Sequence, residues 1–213
     1  MPIKLVVFDL DGTLVDSMGL YAEKAGELIE KFYSIPKQKA KRLYFETSGL
    51  PFLEQLNVLF PNEREKNKRV AEIFEKWKPQ ILKNLKIFPE GVYAINFLKG
   101  KGILTAISSN NLQKYVEHIV KNSGVNPDFI LGWDGKNFKK GKPHIDFLVK
   151  KTGIDRKEIL MIGDSPNDYK LAKEGGVNFV AVKRHFSEED FKRLERNIKI
   201  LNSLKDLEAI LKI

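Results

Sequence analysis

Short runs rich in apolar residues constrain the fold of this chain more than any other feature. Five runs rich in Val, Ile and Leu lack alternating polar residues and lie at positions 3–8, 103–107, 129–131, 159–162 and 178–182. Such runs are typical of strands that are buried on both faces. Segments with helical spacing separate the later runs, and others begin at Leu194 and Leu204. Because strands that alternate with helices form parallel sheets, the sequence predicts an α/β fold with a doubly wound parallel sheet.

One interval interrupts this alternation. Between residues 18 and 86 the apolar residues recur only at helical spacing, and no run has a strand pattern. We therefore predict an α/β core domain formed by residues 1–16 and 87–213, and an inserted all-helical domain formed by residues 17–86. A chain of 213 residues is long enough for one sizeable core and such an insertion.

Polar side chains follow three of the predicted strands. The first run ends in Asp9 and Asp11, the second in Ser108 and Ser109, and the fourth in Asp164. In an open parallel sheet, ligands bind beyond the carboxyl ends of the strands. We therefore expect these side chains to lie together at one edge of the sheet.

Each of these features also has a local explanation. Asp11-Gly12 is a common turn dipeptide, Ser108 can begin the following helix, and the sequence SPND at residues 165–168 has the pattern of a capping box. Asp164 has no comfortable local role, because it ends an apolar strand after a glycine. Carboxylates that converge at one edge repel one another, by roughly 4 kcal/mol for a pair at about 4 Å. The local explanations do not account for this repulsion, which a positive charge near the carboxylates would offset.

Magnesium and a lysine are the candidate positive charges. The chain has no cysteine, which excludes disulfides and thiolate metal sites. Oxygen-only ligands, few in number and completed by an anionic substrate, favour Mg²⁺. Lys142 is the candidate lysine, since Pro143 suits the first turn of a helix and would place Lys142 at the N-terminal end of that helix. The alternative is that Lys142 is an ordinary surface lysine.

The formal net charge of +9 raises the question of a nucleic-acid partner. Lysines are interspersed with glutamates, as in NEREKNKRVAEIFEKW at residues 62–77, which is typical of solvated helix faces. The pattern argues against a nucleic-acid partner, and a positive field equally attracts small phosphorylated anions. The apolar run near the N-terminus is too short for a signal or membrane segment, so we expect a cytoplasmic protein without a membrane partner.

In combination, these residues resemble the haloacid dehalogenase-like hydrolases, in the branch that has a helical cap after the first strand and includes phosphoglycolate phosphatases. FDLDGTLVDS at residues 8–17 resembles the first motif of that family, and Ser108 the second. Lys142-Pro143 resembles the third motif and GDSPND at residues 163–168 the fourth. The resemblance covers essentially the whole chain. It implies a Rossmann-like core, a cap domain, and a Mg²⁺-dependent phosphatase, monomeric or homodimeric, that acts on a small metabolite such as phosphoglycolate or a sugar phosphate.

The resemblance also implies a role for each polar side chain. Asp9 would be the nucleophile that forms an aspartyl-phosphate, and Asp11 would act as the general acid and base. Ser108, Ser109 and Lys142 would bind the phosphoryl oxygens of the substrate.

The resemblance also assigns residues to the metal site and to the cap domain. The resemblance implies that Asp9, Asp164 and the backbone carbonyl of Asp11 hold Mg²⁺, with Asp168 acting through water. In the cap, Gly49 of the segment TSGLPF at residues 47–52 would belong to a substrate loop.

Two other functions stay open at this stage. A phosphomutase of the β-phosphoglucomutase type would return the phosphoryl group to a substrate hydroxyl, and the sequence does not separate it from a phosphatase. A basic binding module without catalysis is the alternative from another class, although the intact set of Asp9, Asp11 and Asp164 argues against it. His144 departs from the usual family pattern, in which a small residue and a proline follow the Lys-Pro pair.

Overall fold

The computed structural model describes residues 2–211. The chain folds into two compact units: one is Asp16–Asn84, and the other combines the residues up to Val15 with those from Leu85 onward. Within residues 2–211, no helix is both long enough and apolar enough to cross a membrane.

The unit Asp16–Asn84 is helical. Its helices are α1 Met18–Tyr33, α2 Lys37–Glu46, α3 Phe52–Leu59 and α4 Arg64–Leu82. An aromatic cluster occupies its interior, where the ring centroid of Phe74 lies 4.2 Å from that of Phe52 and 5.8 Å from that of Tyr21. Aromatic side chains bury large apolar areas, so these contacts join α1, α3 and α4 through one core.

The other unit contains a parallel sheet. Its described strands are β1 Leu5–Asp9, β2 Leu104–Leu112, β3 Phe129–Trp133, β4 Ile159–Gly163, β5 Asn178–Val182 and β6 Lys199–Leu201. The helices of this unit are α5 Pro89–Gly100, α6 Gln113–Asn122, α7 Lys142–Thr152, α8 Pro166–Gly175, α9 Glu188–Lys192 and α10 Leu207–Leu211. The order of the strands is β3-β2-β1-β4-β5-β6. This arrangement confirms the predicted α/β fold with a parallel sheet.

The pairing of the strands places the predicted site at one edge of the sheet. All residues of β1 are buried, and β1 lies between β2 and β4. Asp9 is paired with Ser108 across β1 and β2, while Phe8 is paired with Ile162 across β1 and β4. Because the strands are parallel, the residues that follow them emerge at the same edge.

Two parts of this unit differ from the prediction. The helix expected from Leu194 is absent among the described residues: residues 193–198 form turns, and Lys199–Leu201 form the edge strand β6 beside β5. A strand of three residues that begins with an exposed lysine contains no apolar run, so the pattern missed it. β2 also continues beyond residue 107 to Leu112, with an irregular register after Ser108.

Candidate active site

Three buried carboxylates converge at the carboxyl edge of the sheet. Asp9 ends β1, Asp164 follows β4, and Asp168 lies in the first turn of α8. One oxygen from each lies within 4.8 Å of the others. Lys140 joins them from the segment before α7: its Nζ lies 2.5 Å from Asp9 Oδ1 and also contacts Asp168 Oδ1.

The lysine of this cluster is therefore Lys140, and the structure does not bring Lys142, the predicted lysine, into it. Lys142 begins α7, where its side chain is 60% exposed and its Nζ lies 2.5 Å from Asp146 Oδ2. Gly141, between the two lysines, has φ 98°, a conformation that residues with a side chain rarely adopt. The backbone turns there, and Lys142 forms an i,i+4 ion pair on the helix surface. An aspartate four residues after Lys142 was the sequence signal for this placement.

The electrostatics of the cluster are unbalanced, because three carboxylates face one ammonium group. Burial raises the pKa of Asp9 to about 7, although the charge of Lys140 acts in the opposite direction. Burial, together with the charge of Asp9, also raises the pKa of Asp164. Burial by itself lowers the pKa of Lys140, but the carboxylates of Asp168 and Asp9 outweigh it and raise that pKa. A divalent cation would supply the two missing positive charges.

Thr13 is a site residue that the sequence analysis missed. It is fully buried, and its Oγ1 lies 3.1 Å from Asp9 Oδ2 and 3.2 Å from Asp164 Oδ1. One hydroxyl therefore links the carboxylates of two strands. The sequence signal was a hydroxyl residue within the same turn as the two aspartates of the first strand.

The carboxylates fit a hard cation such as Mg²⁺. Asp164 Oδ2 is buried, and within residues 2–211 it has no hydrogen-bond partner. A buried carboxylate oxygen in that situation requires an explanation, and oxygen ligands are those that Mg²⁺ prefers. Gly12 maintains the close approach of the turn: a Cβ at this position would lie 2.4 Å from Asp164 Oδ2.

Asp168 combines a local role with a role in the cluster. Its Oδ2 accepts hydrogen bonds from the backbone nitrogen of Ser165 at 3.0 Å and from Ser165 Oγ at 2.7 Å. These contacts form the capping box at the start of α8, which confirms the predicted cap. Because its Oδ1 faces Lys140, the cap and the cluster use different oxygens of the same carboxylate.

Asp11 is held by two side chains of β2. Its Oδ2 accepts hydrogen bonds from Asn111 Nδ2 at 2.7 Å and from Ser109 Oγ at 3.3 Å. Both donors lie in the irregular part of β2 after Ser108. Asn111 was missed by the sequence analysis. The hydroxyl of Ser109 contacts the Asp11 carboxylate, and its role in binding phosphate stays a prediction.

Ser108 contacts a buried histidine. Its Oγ lies 2.8 Å from Nδ1 of His144, and Nε2 of His144 lies 3.2 Å from the carbonyl oxygen of Gly132 in β3. His144 is fully buried in α7. The departure from the usual family pattern at His144 therefore lies directly against a predicted phosphate-binding residue.

Arg184, which follows β5, holds the turn after Asp9. Its Nε donates a hydrogen bond to the carbonyl oxygen of Gly12 at 3.2 Å, and its Nη2 to that of Thr13 at 3.4 Å. The same guanidinium forms an ion pair with Glu90 of α5. Arg184 thereby fixes the backbone that carries Thr13. No motif in the sequence marked this arginine.

Comparison with known proteins identifies the family. The model of the haloacid dehalogenase-like hydrolase family matches residues 6–182. The chain belongs to this family. A phosphoglycolate phosphatase from Vibrio parahaemolyticus serotype O3:K6 is 27% identical to it over 184 residues, which cover 82% of this chain and 81% of that protein.

Two solved structures share the fold of this chain. A "predicted phosphatase" from Clostridium acetobutylicum superposes with a TM-score of 0.84 at 20% identity and covers 100% of both chains. A candidate β-phosphoglucomutase from Bacteroides vulgatus superposes with a TM-score of 0.76 at 18% identity and covers 99% of this chain and 88% of that one. At these identities the likeness concerns the fold alone.

Gly49, the last predicted site residue, lies in the helical unit between α2 and α3. Its φ of 90° is one that glycine adopts readily. Gln55 holds this segment, because its Nε2 donates to the carbonyl oxygen of Leu50 at 2.9 Å and its Oε1 accepts from Thr47 Oγ1 at 3.0 Å. The segment therefore has a defined conformation within its own unit. A role of Gly49 in substrate selection stays a prediction.

Proposed function

We propose that this haloacid dehalogenase-like hydrolase is a Mg²⁺-dependent phosphatase that cleaves the phosphate monoester of a small metabolite, of the phosphoglycolate or sugar-phosphate type. The observation that carries the proposal is the position of the Asp9 carboxylate at the end of β1, beside Lys140 and two further buried carboxylates. Membership of the family and the similarity to a phosphoglycolate phosphatase support the class of reaction.

Asp9, Asp164 and Asp168 are the residues that we propose to hold Mg²⁺, with the backbone carbonyl of Asp11 as a further ligand. When bound, the ion would offset the negative charge that the carboxylates and the phosphoryl group bring together. The orphaned Oδ2 of Asp164 and the oxygen-only donor set support this choice of cation.

Asp9 is the proposed nucleophile. An oxygen of its carboxylate attacks phosphorus, and the bond between phosphorus and the ester oxygen breaks as the aspartyl-phosphate forms. The ammonium group of Lys140 holds Asp9 in place and reduces its repulsion with the phosphoryl oxygens. Asp11 donates a proton to the departing ester oxygen, so the leaving group departs as a neutral alcohol.

The second step returns Asp9 to its free form. Water attacks phosphorus, its proton passes to the Asp11 carboxylate, and the bond between Asp9 and phosphorus breaks. Asn111 and Ser109 hold Asp11 in place for both proton transfers. A phosphomutase would differ in this step alone, because a substrate hydroxyl would replace water.

A substrate screen tests the proposal. Phosphorylated metabolites are incubated with the purified protein in Mg²⁺ or in EDTA, and the products are followed by ³¹P NMR. We expect release of inorganic phosphate that requires Mg²⁺ and that Asp9→Asn reduces by about 10⁴-fold or more. Asp146→Asn, a surface carboxylate, is the matched control and should retain the wild-type rate.

Two results would contradict the proposal. Hydrolysis that survives in Asp9→Asn, or that EDTA leaves unchanged, would exclude this mechanism. Transfer of the phosphoryl group between two hydroxyls of one substrate, with little inorganic phosphate, would instead identify a phosphomutase.

A further inference from the structure

The contact between Ser108 and His144 limits what the Ser108 hydroxyl can do. The hydroxyl carries one hydrogen, and its oxygen lies 2.8 Å from Nδ1 of His144. On the opposite side of the imidazole ring, Nε2 lies 3.2 Å from the carbonyl oxygen of Gly132. A carbonyl oxygen can only accept a hydrogen bond, so this contact requires a hydrogen on Nε2.

In neutral His144, Nδ1 is consequently without a hydrogen. The Ser108 hydroxyl then donates its hydrogen to Nδ1 and presents only lone pairs to any oxyanion. If Ser108 turned its hydrogen toward an oxyanion instead, its oxygen and Nδ1 would face each other as two acceptors. Neutral His144 and a donating Ser108 are therefore incompatible in this geometry.

Protonation of His144 removes the conflict. With hydrogens on both ring nitrogens, Nδ1 donates to Ser108 Oγ and Nε2 donates to Gly132, while the hydroxyl hydrogen stays available. We propose that His144 is a positioning residue that must take up a proton for Ser108 to donate a hydrogen bond to a phosphoryl oxygen. This inference rests on the proposed phosphatase function, because it treats Ser108 as a ligand of the phosphoryl group.

The surroundings of His144 favour the neutral ring before an anion binds. Burial, and to a smaller extent the charge of Lys140, lower the pKa of His144 to about 4. Backbone hydrogen bonds to Gly132 and Phe138 and the charge of Asp134 act in the opposite direction but are outweighed. The ring of Phe138 also lies against the imidazole, with centroids 4.4 Å apart. A bound dianion would add the negative charge that favours the imidazolium. Anion binding and proton uptake are then linked.

This linkage predicts a defined pH dependence. If His144 is neutral in the free protein and charged in the complex, the association constant for an oxyanion falls about tenfold for each unit rise in pH. Sulfate is a suitable probe, because it is a tetrahedral dianion that does not change its charge between pH 6 and 8. Asp9 also titrates near this range, so the contribution of His144 must be isolated by comparison with a variant.

The first experiment observes His144 directly in the wild-type protein. Long-range ¹H–¹⁵N spectra distinguish the two neutral tautomers and the imidazolium, and the chain has 3 histidines. At pH 7 in Mg²⁺, we expect the Nε2–H tautomer without sulfate and the imidazolium at saturating sulfate. Persistence of the neutral ring in the sulfate complex would overturn the inference, and this readout requires neither activity nor a variant.

The second experiment replaces the ring. In His144→Asn, an amide nitrogen can donate to Ser108 at every pH. The variant should therefore lose the part of the pH dependence that His144 contributes, which is a fall of about tenfold in the association constant for sulfate for each unit rise in pH. The exposed His118, on α6, is the matched control, and His118→Asn should keep the wild-type slope. Equal slopes for the wild type and His144→Asn would contradict the linkage.

The two proposals fail in different ways. A protein that hydrolyses phosphomonoesters but keeps a neutral His144 in its sulfate complex retains the proposed function and loses this inference. A protein that releases no phosphate from any phosphomonoester, although sulfate converts His144 to the imidazolium, loses the proposed function and keeps an oxyanion site linked to His144.

Discussion

Lys140 and Lys142 show how strongly the surroundings of a residue can differ over two positions. The side chain of Lys140 is 5% exposed and touches two carboxylates, whereas that of Lys142 is 60% exposed and pairs with Asp146. Gly141 produces the difference, because its positive φ turns the backbone between them. The ammonium group of Lys140 is the side-chain positive charge that contacts Asp9.

Replacement of each lysine by methionine separates their roles. Lys140→Met should reduce kcat/KM for a small phosphomonoester by about 10²–10³-fold, because a preorganised charge beside the proposed nucleophile Asp9 is lost. Lys142→Met should change kcat/KM less than about twofold, since an exposed i,i+4 pair contributes little. Steady-state kinetics in Mg²⁺ measure both, with circular dichroism as a check of folding. A larger loss in Lys142→Met than in Lys140→Met would reverse the assignment.

At the scale of elements, Glu23 of α1 connects two helices. Its carboxylate pairs with Lys41 of α2 at 2.6 Å and also with Lys37. The hydrogen bonds from Lys37 and then Lys41 lower the pKa of Glu23 from 4.5 to about 2. A carboxylate whose pKa is lower in the folded state stabilises the fold at pH values above its unfolded-state pKa. For Glu23 this contribution is lost as the pH falls from about 4.5 toward 2.

The pH dependence of thermal unfolding checks this pair. The Tm of the wild type should exceed that of Glu23→Gln at pH 7, and the difference should shrink steadily as the pH falls from about 4.5 toward 2. It should also shrink in about 1 M salt, because exposed charges are screened. Glu72→Gln, on the exposed face of α4, is the control and should show no such trend. A difference in Tm that grows as the pH falls would be the wrong sign for this mechanism.

Asn67 joins three helices of the same unit through hydrogen bonds. It is fully buried, and its Oδ1 accepts from the Tyr33 hydroxyl at 2.7 Å. Its Nδ2 lies 2.9 Å from Asn57 Oδ1, 2.9 Å from the carbonyl oxygen of Phe60 and 3.2 Å from that of Leu56. At the end of α3, the carbonyl oxygens of Leu56 and Phe60 accept backbone hydrogen bonds, and Asn67 Nδ2 supplies a further polar contact to each.

Removal of the amide should therefore destabilise the helical unit. Asn67→Ala should lower the free energy of unfolding by about 1–3 kcal/mol, because a buried amide and its hydrogen bonds to two other helices are lost. Asn62→Ala, at an exposed turn just before α4, should stay within about 0.5 kcal/mol of the wild type. Urea unfolding followed by circular dichroism compares the two, and equal losses would contradict the role given to Asn67.

At the scale of the whole molecule, the active site opposes stability. Asp164 is buried near Asp9 and Asp168, and burial and the charge of Asp9 raise its pKa. A raised pKa for an acid means that its ionised form at neutral pH destabilises the fold. The carboxylates proposed to hold a cation therefore reduce the stability of the protein while the cation is absent.

Asp164→Asn should reveal this cost in the Tm. Without Mg²⁺ we expect the variant to unfold several degrees above the wild type, because one buried charge is removed. Mg²⁺ at about 100 times its Kd should stabilise the wild type by about 2.7 kcal/mol and leave the variant unchanged. Differential scanning calorimetry with and without Mg²⁺ measures both effects. A variant less stable than the metal-free wild type would contradict the proposed repulsion.

Much of this structure could be predicted from the periodicity of the apolar residues and from the polar residues at the ends of strands. Apolar runs predicted the five longer strands, because a strand buried on both faces must be apolar throughout. The aspartates at the ends of β1 and β4 were predictable for a related reason, since parallel strands bring their carboxyl ends to one edge. The family followed from the order of the motifs, and the match to residues 6–182 confirms it.

Only the tertiary structure decided which groups meet at that edge. Asp9 and Lys140 are 131 positions apart, and whether Lys140 or Lys142 reaches Asp9 depends on the backbone at Gly141. The links from Thr13 to Asp164 and from Ser108 to His144 likewise join distant segments. Local patterns report which face of a strand or helix is apolar. Partners across the sheet depend on backbone direction and on distances of about 3 Å, which no periodicity encodes.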